Sequence, residues 1–281
     1  VHELLGAWYS EKLETLVISG YVEGAEVVPG IIADREASRH LRSLALHYSH
    51  SDAHIGASEE EKLELGRTYE PLARSPHLRG LEELSFVGEE LTARQLEVFA
   101  REGVFEHILS LRLEDMTFPV AALHAIFTNL TGGSLRKLSL GCAFDEDDAE
   151  LSWEGIELGE LEHLSIERSI FPPAALGAIC DAVSRSSTLK VLDCTSSSAR
   201  DKHLRQVMSS DSLVHASLEQ LWMRDCVLTP RALESLDPAV SWPALRYLDL
   251  ARNRLGDEGV TALAHGLLDA PSLETLDLET T

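Results

Sequence analysis

The stretch "LRYLDLARNRLGDEGVTALAHGLLDAPS", Leu245 to Ser272, contains a strand, a turn and a helix in 28 residues. In "YLDLA" the apolar residues alternate, so Leu248 and Leu250 point inward while Tyr247, Asp249 and Ala251 point outward. In "DEGVTALAHGLL" the spacing changes to that of a helix, with Val260, Leu263, Ala264 and Leu267 on one face. Between the two lies Asn253, placed to hold a tight turn through backbone hydrogen bonds. The chain then begins the pattern again with "LETLDLETT" from Leu273, which stops on its strand.

The frame of this unit is LxxLxL, and it recurs along the whole chain. The triplets start at Leu13, Leu41, Leu81, Ile108, Leu135, Leu161, Leu189, Leu218, Leu245 and Leu273, which makes ten copies. Eight of the nine steps are 26 to 29 residues, and the step from 41 to 81 is 40. The long step places an insertion at residues 50–70, either a functional loop or tolerated decoration. Several second halves open with proline where a helix needs no N–H: "FPVAALHAIF", "FPPAALGAICDAV", and "LTPRALESL" with Thr229 as N-cap. The fifth copy, "FDEDDAELSWEGIELGE", has no clear helix. No single unit can bury its own apolar face, so neighbours must stack.

This pattern resembles that of leucine-rich repeat proteins, and its period with a helical second half is similar to the ribonuclease-inhibitor-like subfamily. The ninth position, Asn or Cys in that family, is filled here by Asn253 and Cys226. Other repeats depart from it, with Glu89, Met116, Ala143, Ser169 and Ser197 among the substitutes. The resemblance implies an α/β solenoid over 1–281, with a parallel sheet on the concave face and helices on the convex face. Residues 1–12 are the N-terminal flank. The C-terminal end lacks a cap, as though truncated or covered by a partner.

Composition limits the partners. Forty-seven acidic residues against 24 basic ones give a net charge of −23, which opposes nucleic acid and anionic membrane surfaces and favours a basic protein or peptide. No apolar run approaches a membrane span, and the chain opens on Val1, consistent with an excised fragment. Cys142, Cys180, Cys194 and Cys226 lack metal-ligand spacing and read as reduced core thiols in the cytoplasm, with a secreted effector as the alternative. Richness in Ala, Leu, Glu and Arg suggests a bacterial source.

Parallel strands about 4.8 Å apart align outward residues into columns across repeats. One column contains Arg112, Ser165, Asp193, Trp222, Asp249 and Asp277; its neighbours contain Lys137, His163, Gln220 and Tyr247, and Glu114, Arg224 and Glu279. The N-terminal half of these columns is mostly small residues. Trp, Tyr and Arg gather in the C-terminal half, and these side chains dominate interfaces because they combine large area with a polar group. The candidate binding residues are Trp222, Arg224, Tyr247, Asp249, Asp193, His163, Arg112 and Lys137; the alternative is an aromatic ladder packed on itself. Ser165, His163 and Asp193 superficially form a Ser/His/Asp set, but His163 and Ser165 lie two apart on one strand and no glycine-rich turn offers an oxyanion hole. His47, Tyr48, His50, Asp52 and His54 form a weak metal cluster, and Asp145–Asp148 lacks the glycine and terminal glutamate of a calcium loop. No cofactor motif is present. The sequence therefore predicts a non-catalytic scaffold that binds a protein or peptide on its concave face. The alternatives are a regulatory or sensor domain of an enzyme, such as a GTPase activator, and a secreted bacterial effector.

Overall fold

The computed structural model describes residues 12–20, 28–48, 69–88, 98–99, 101–130, 132–145, 151–234 and 236–280. The chain forms two compact units, one of residues 1–135 with 143–151 and the other of 136–142 with 152–281.

The first unit contains β1 (Thr15–Gly20), α1 (Val28–Asp34), β2 (Ser43–Tyr48), α2 (Glu70–Arg74), β3 (Glu83–Val87), α3 (Val104–His107), β4 (Ser110–Pro119) and α4 (Val120–Leu130). Its strands pair in parallel in chain order, with Leu16, Leu44, Leu84 and Leu111 in one register column. Leu44, Leu84 and Leu111 are each 1% exposed, because each leucine packs on its copy one strand away. Phe86 meets Tyr69 and Phe99 edge-on, at 5.3 and 6.0 Å between ring centres.

The second unit contains β5 (Lys137–Asp145) as far as Cys142, β6 (His163–Ser165), α5 (Pro173–Arg185), β7 (Val191–Asp193), α6 (Asp201–Val207), β8 (Gln220–Trp222), β9 (Tyr247–Asp249), α7 (Gly256–Gly266) and β10 (Thr275–Asp277). These strands are also parallel, in chain order and with no slip: Leu138, Leu164, Leu192, Leu221, Leu248 and Leu276 share a column. The columns read from the sequence are therefore physical neighbours within this unit. Leu276, on the outermost strand, is 43% exposed where Leu248 is fully buried.

In the second unit β6 to β10 are each followed by a left-handed residue just before the ninth position: Arg168, Ser196, Asp225, Arg252 and Thr280 take φ of 53–57° here, and Asp115, within β4 of the first unit, takes a similar value. Left-handed backbone is unfavourable for residues with a Cβ, so something must hold it. The ninth-position side chain does so. Asn253 Oδ1 accepts from the backbone N–H groups of Cys226 and Leu228 at 3.0 Å each, and its Nδ2 donates to the carbonyls of Met223, Leu250 and Ala251. Cys226 Sγ donates to the Cys194 carbonyl at 3.0 Å. Ser169, a departure from the family pattern, works in the same way: its Oγ donates to Leu140 O at 2.6 Å and accepts from Cys142 N at 3.0 Å.

Three local expectations change; the first is Ala264, read as part of the apolar face of α7, which is exposed. Thr229 does not cap a helix; its N–H and Oγ1 donate to the Asp201 carboxylate at 2.8 and 2.6 Å, and only a 3₁₀ turn, Pro230–Ala232, follows. Ala251, expected outward, is fully buried.

Helix α7 packs closely on the preceding repeat. A Cβ at Gly266 would lie 2.5 Å from Leu236 Cβ and 2.7 Å from its Cδ1. Gly266→Ala is therefore expected to lower stability by about 1–3 kcal/mol, read as an earlier urea midpoint at unchanged slope. An unshifted midpoint would contradict this packing.

Candidate functional site

The open face of the second unit's sheet is built around Trp222 and Tyr247, which β8 and β9 place on adjacent strands. Their rings stack at 4.1 Å between centres and 25° between planes, and both residues are half-buried. The stack exists because parallel pairing sets Gln220 opposite Tyr247 and Trp222 opposite Asp249, so the indole leans back over the phenol. The indole N–H donates to Gln220 Oε1 at 3.3 Å, so its polar edge is already satisfied. Burial holds the Tyr247 phenol above its usual range, and the charges of Asp249 and Asp277 add to this.

Arg224 spans three repeats. Its Nη1 lies 3.2 Å from Asp277 Oδ2 and 3.6 Å from Asp249 Oδ2, and its Nη2 lies 3.1 Å from Glu279 Oε2. The hydrogen bond to Glu279, then the neighbouring charges, raise the guanidinium above its ordinary value. Arg224 is the internal counter-ion of a carboxylate cluster. Asp249 was expected to point outward, but it is 2% exposed and offers no surface to a partner. Its Oδ1 accepts from Ala251 N at 2.9 Å, and Trp222 and Asp277 occupy the register positions on either side. Asp193 and Asp277 make the same bond to the N–H groups of Thr195 and Glu279, both at 2.9 Å. These aspartates therefore brace the left-handed strand exits as well as charging the face.

Lys137 and His163 are paired in register on β5 and β6. Burial first, and the Lys137 charge second, keep the His163 ring below its usual value, with Asp193 acting against them. Among the described residues Ser165 bonds neither His163 nor Asp193; its Oγ accepts only from Glu167 N, at 3.4 Å. A nucleophile so placed has no base in reach. Arg112 belongs to the first unit, where it pairs with Glu114. His47 Nε2 lies 3.0 Å from Ser85 Oγ, and burial followed by the Arg112 charge lowers its pKa, while Glu114 opposes them. His50, Asp52, His54 and most of Asp145–Asp148 lie outside the described residues, and among the described residues no three ligating side chains cluster. All four cysteines are buried thiols; burial pushes the Cys180 thiol up to about 12 and that of Cys226 to about 11.

Gln220, Asp277 and Glu279 belong to this site without being among the candidate binding residues of the sequence. Their column positions were the available signal, because each lies beside a residue that had been chosen.

The fold is an α/β leucine-rich repeat solenoid. Residues 243–264 match the leucine-rich repeat family model. The chain is 24% identical over 212 residues to bovine (Bos taurus) NACHT, LRR and PYD domains-containing protein 5, covering 74% of this chain and 19% of that protein. It is 30% identical over 138 residues to mouse (Mus musculus) ribonuclease inhibitor, covering 48% of this chain and 30% of that one. Among solved structures, a TLR13–ssRNA13 complex aligns over 87% of this chain and 30% of that one, at TM-score 0.47 and 16% identity. The yeast Rad7 and Elc1 complex aligns over 93% of this chain and 75% of that one, at TM-score 0.42 and 14% identity. The chain spans less than a third of either curated relative, and both are mammalian, so the similarity lends no support to a bacterial source.

Proposed function

We propose that the chain is a non-catalytic scaffold that binds a protein partner on the open face of its second unit, with a basic segment of the partner seated against Trp222 and Tyr247. The observation that carries this reading is the half-exposed Trp222–Tyr247 stack beside a carboxylate excess. Asp193, Asp277 and Glu279 are three carboxylates that reach the face, with Asp249 buried behind them, and the Arg224 guanidinium is bonded among Asp249, Asp277 and Glu279. An aromatic face attracts a cation through its quadrupole, and uncompensated carboxylates beside it add charge complementarity. In this reading Arg224 organises the carboxylates, and His163 and Lys137 line the neighbouring strands. The net charge of −23 disfavours nucleic acid as the partner. Four buried cysteines held as thiols fit a reducing cytoplasmic compartment.

A second reading, a regulatory or sensor domain serving an attached catalytic or effector domain, draws on the match to a protein whose name records NACHT and PYD domains beside its repeats.

The test is a quantitative pull-down with the wild type and Trp222→Ala. The variant is expected to recover its partners at least about tenfold less well, as hot-spot aromatics do. Equal recovery would remove the site. Exposed charge pairing is screened by salt, so raising ionic strength from 50 to 500 mM is expected to speed dissociation and slow association. Salt-independent binding would remove the basic-partner assignment while leaving the aromatic seat in place.

A further inference from the structure

The seventh repeat contains a buried histidine whose hydrogen bonds require it to be neutral. His203, in the first turn of α6, is 4% exposed. Its Nδ1 accepts from the backbone N–H of Arg200 at 3.0 Å, closing the start of the helix, so the ring proton must sit on Nε2. Among the described residues that Nε2 is buried without a hydrogen-bond partner. A second proton on the ring would convert the accepting Nδ1 into a donor facing another donor.

We propose that His203 is a protonation-sensitive latch: acid breaks its bond to Arg200 and opens the turn that ties the seventh repeat to the eighth. The coupling between repeats is on the same few residues. Arg200 Nη1 donates to the carbonyls of Ser197, Ala199 and Cys226, and Asp201 holds the N–H and hydroxyl of Thr229. Loss of the latch therefore loosens the turn on both sides of Arg200.

The surrounding charges all act in the same direction. On its own helix, Lys202 and the nearby Arg200 oppose a charged ring, Asp201 is engaged by Thr229, and Arg205 donates to the Arg231 carbonyl. Against α6 pack α5, with Cys180, Asp181 and Arg185, and the turn Pro230–Ala232, with Arg231. Asp181 is paired with Arg185, and among the described residues no carboxylate stabilises the imidazolium. Burial first, then Lys202 and Arg200, bring the ring pKa down to about 4 from its ordinary 6.5.

The depressed value fixes the direction of the pH effect. The opened segment binds a proton below about 6.5 and the closed one only below about 4, so protection is complete above that window and lost as pH falls through it. From pH 7 to pH 5 the opening equilibrium is expected to rise about 20-fold.

The experiment is amide hydrogen exchange of a peptide covering 200–208 at pH 7 and pH 5, corrected for the intrinsic rate, in the wild type and in His203→Gln. Glutamine at this position can still accept from the Arg200 N–H and cannot become charged. The wild type is expected to lose about 20-fold in protection and the variant none. Unchanged wild-type protection at pH 5, or an equal loss in the variant, overturns the latch. Should the variant be unprotected already at pH 7, titration of the His203 ring by NMR in the wild type decides. Protonation near pH 4, accompanied by loss of protection, supports the latch, and an ordinary value of 6.5 or above overturns it.

Discussion

Asn253→Ala is expected to cost the second unit about 3–5 kcal/mol, the summed penalty of backbone groups left buried without partners. The side chain is 3% exposed and makes five bonds, accepting two and donating three. Its removal leaves the N–H groups of Cys226 and Leu228 and the carbonyl of Met223 without their side-chain partner, in a place water does not reach. It also withdraws the support under the left-handed Arg252. Ser169→Ala provides the internal scale. That hydroxyl makes two bonds rather than five, so its loss is expected to cost about 1–2 kcal/mol. Urea unfolding, followed by circular dichroism, would rank the two. A loss below about 1 kcal/mol for Asn253→Ala would mean that the turn is held by other contacts.

The second large effect is on binding. Trp222→Ala is expected to weaken a partner's affinity by about 2–4 kcal/mol, or roughly 30- to 1,000-fold, the range found for central aromatic hot spots. Stability should change little by comparison, because the indole is half-buried on the sheet face and its N–H bonds only Gln220. Calorimetric titration with an isolated partner, paired with a melting curve, separates the two effects. Affinity that survives while the melting temperature drops would make Trp222 a structural residue. Arg224→Ala is expected to behave in the opposite way. With its three carboxylate partners released, the face becomes more acidic and association with a basic partner becomes faster, at some loss of stability.

The repeat frame was legible in the sequence because parallel pairing without slip turns a fixed period into spatial columns. Leu248 over Leu276 and Trp222 over Asp249 follow from counting alone. Asn253 was legible for a related reason, since its function is local and its partners lie in its own or the preceding repeat. Other features required information that a period does not contain. Arg224 meets Asp277 and Glu279 across 53 and 55 residues, and only the reach of a long side chain over two strands decides that pairing. Asp249 alternates outward, yet Trp222 beside it and Arg224 above it enclose it, so its pattern was read correctly and its exposure was not. The Thr229 cap failed because Asp201, 28 residues away, competes for the same hydroxyl as an ionised acceptor. Ser169 showed the converse: a departure from the family residue retained the same bonds with a smaller side chain.

A partner bound as proposed lies on the Trp222–Tyr247 face. A photo-reactive phenylalanine placed at position 247 would test it, with the same residue at Ala264 on the exposed side of α7 as the comparison. Efficient cross-links are expected from 247 to a basic segment of one protein, and few from 264. Equal yields from the two positions, or cross-links from 264 alone, would contradict it.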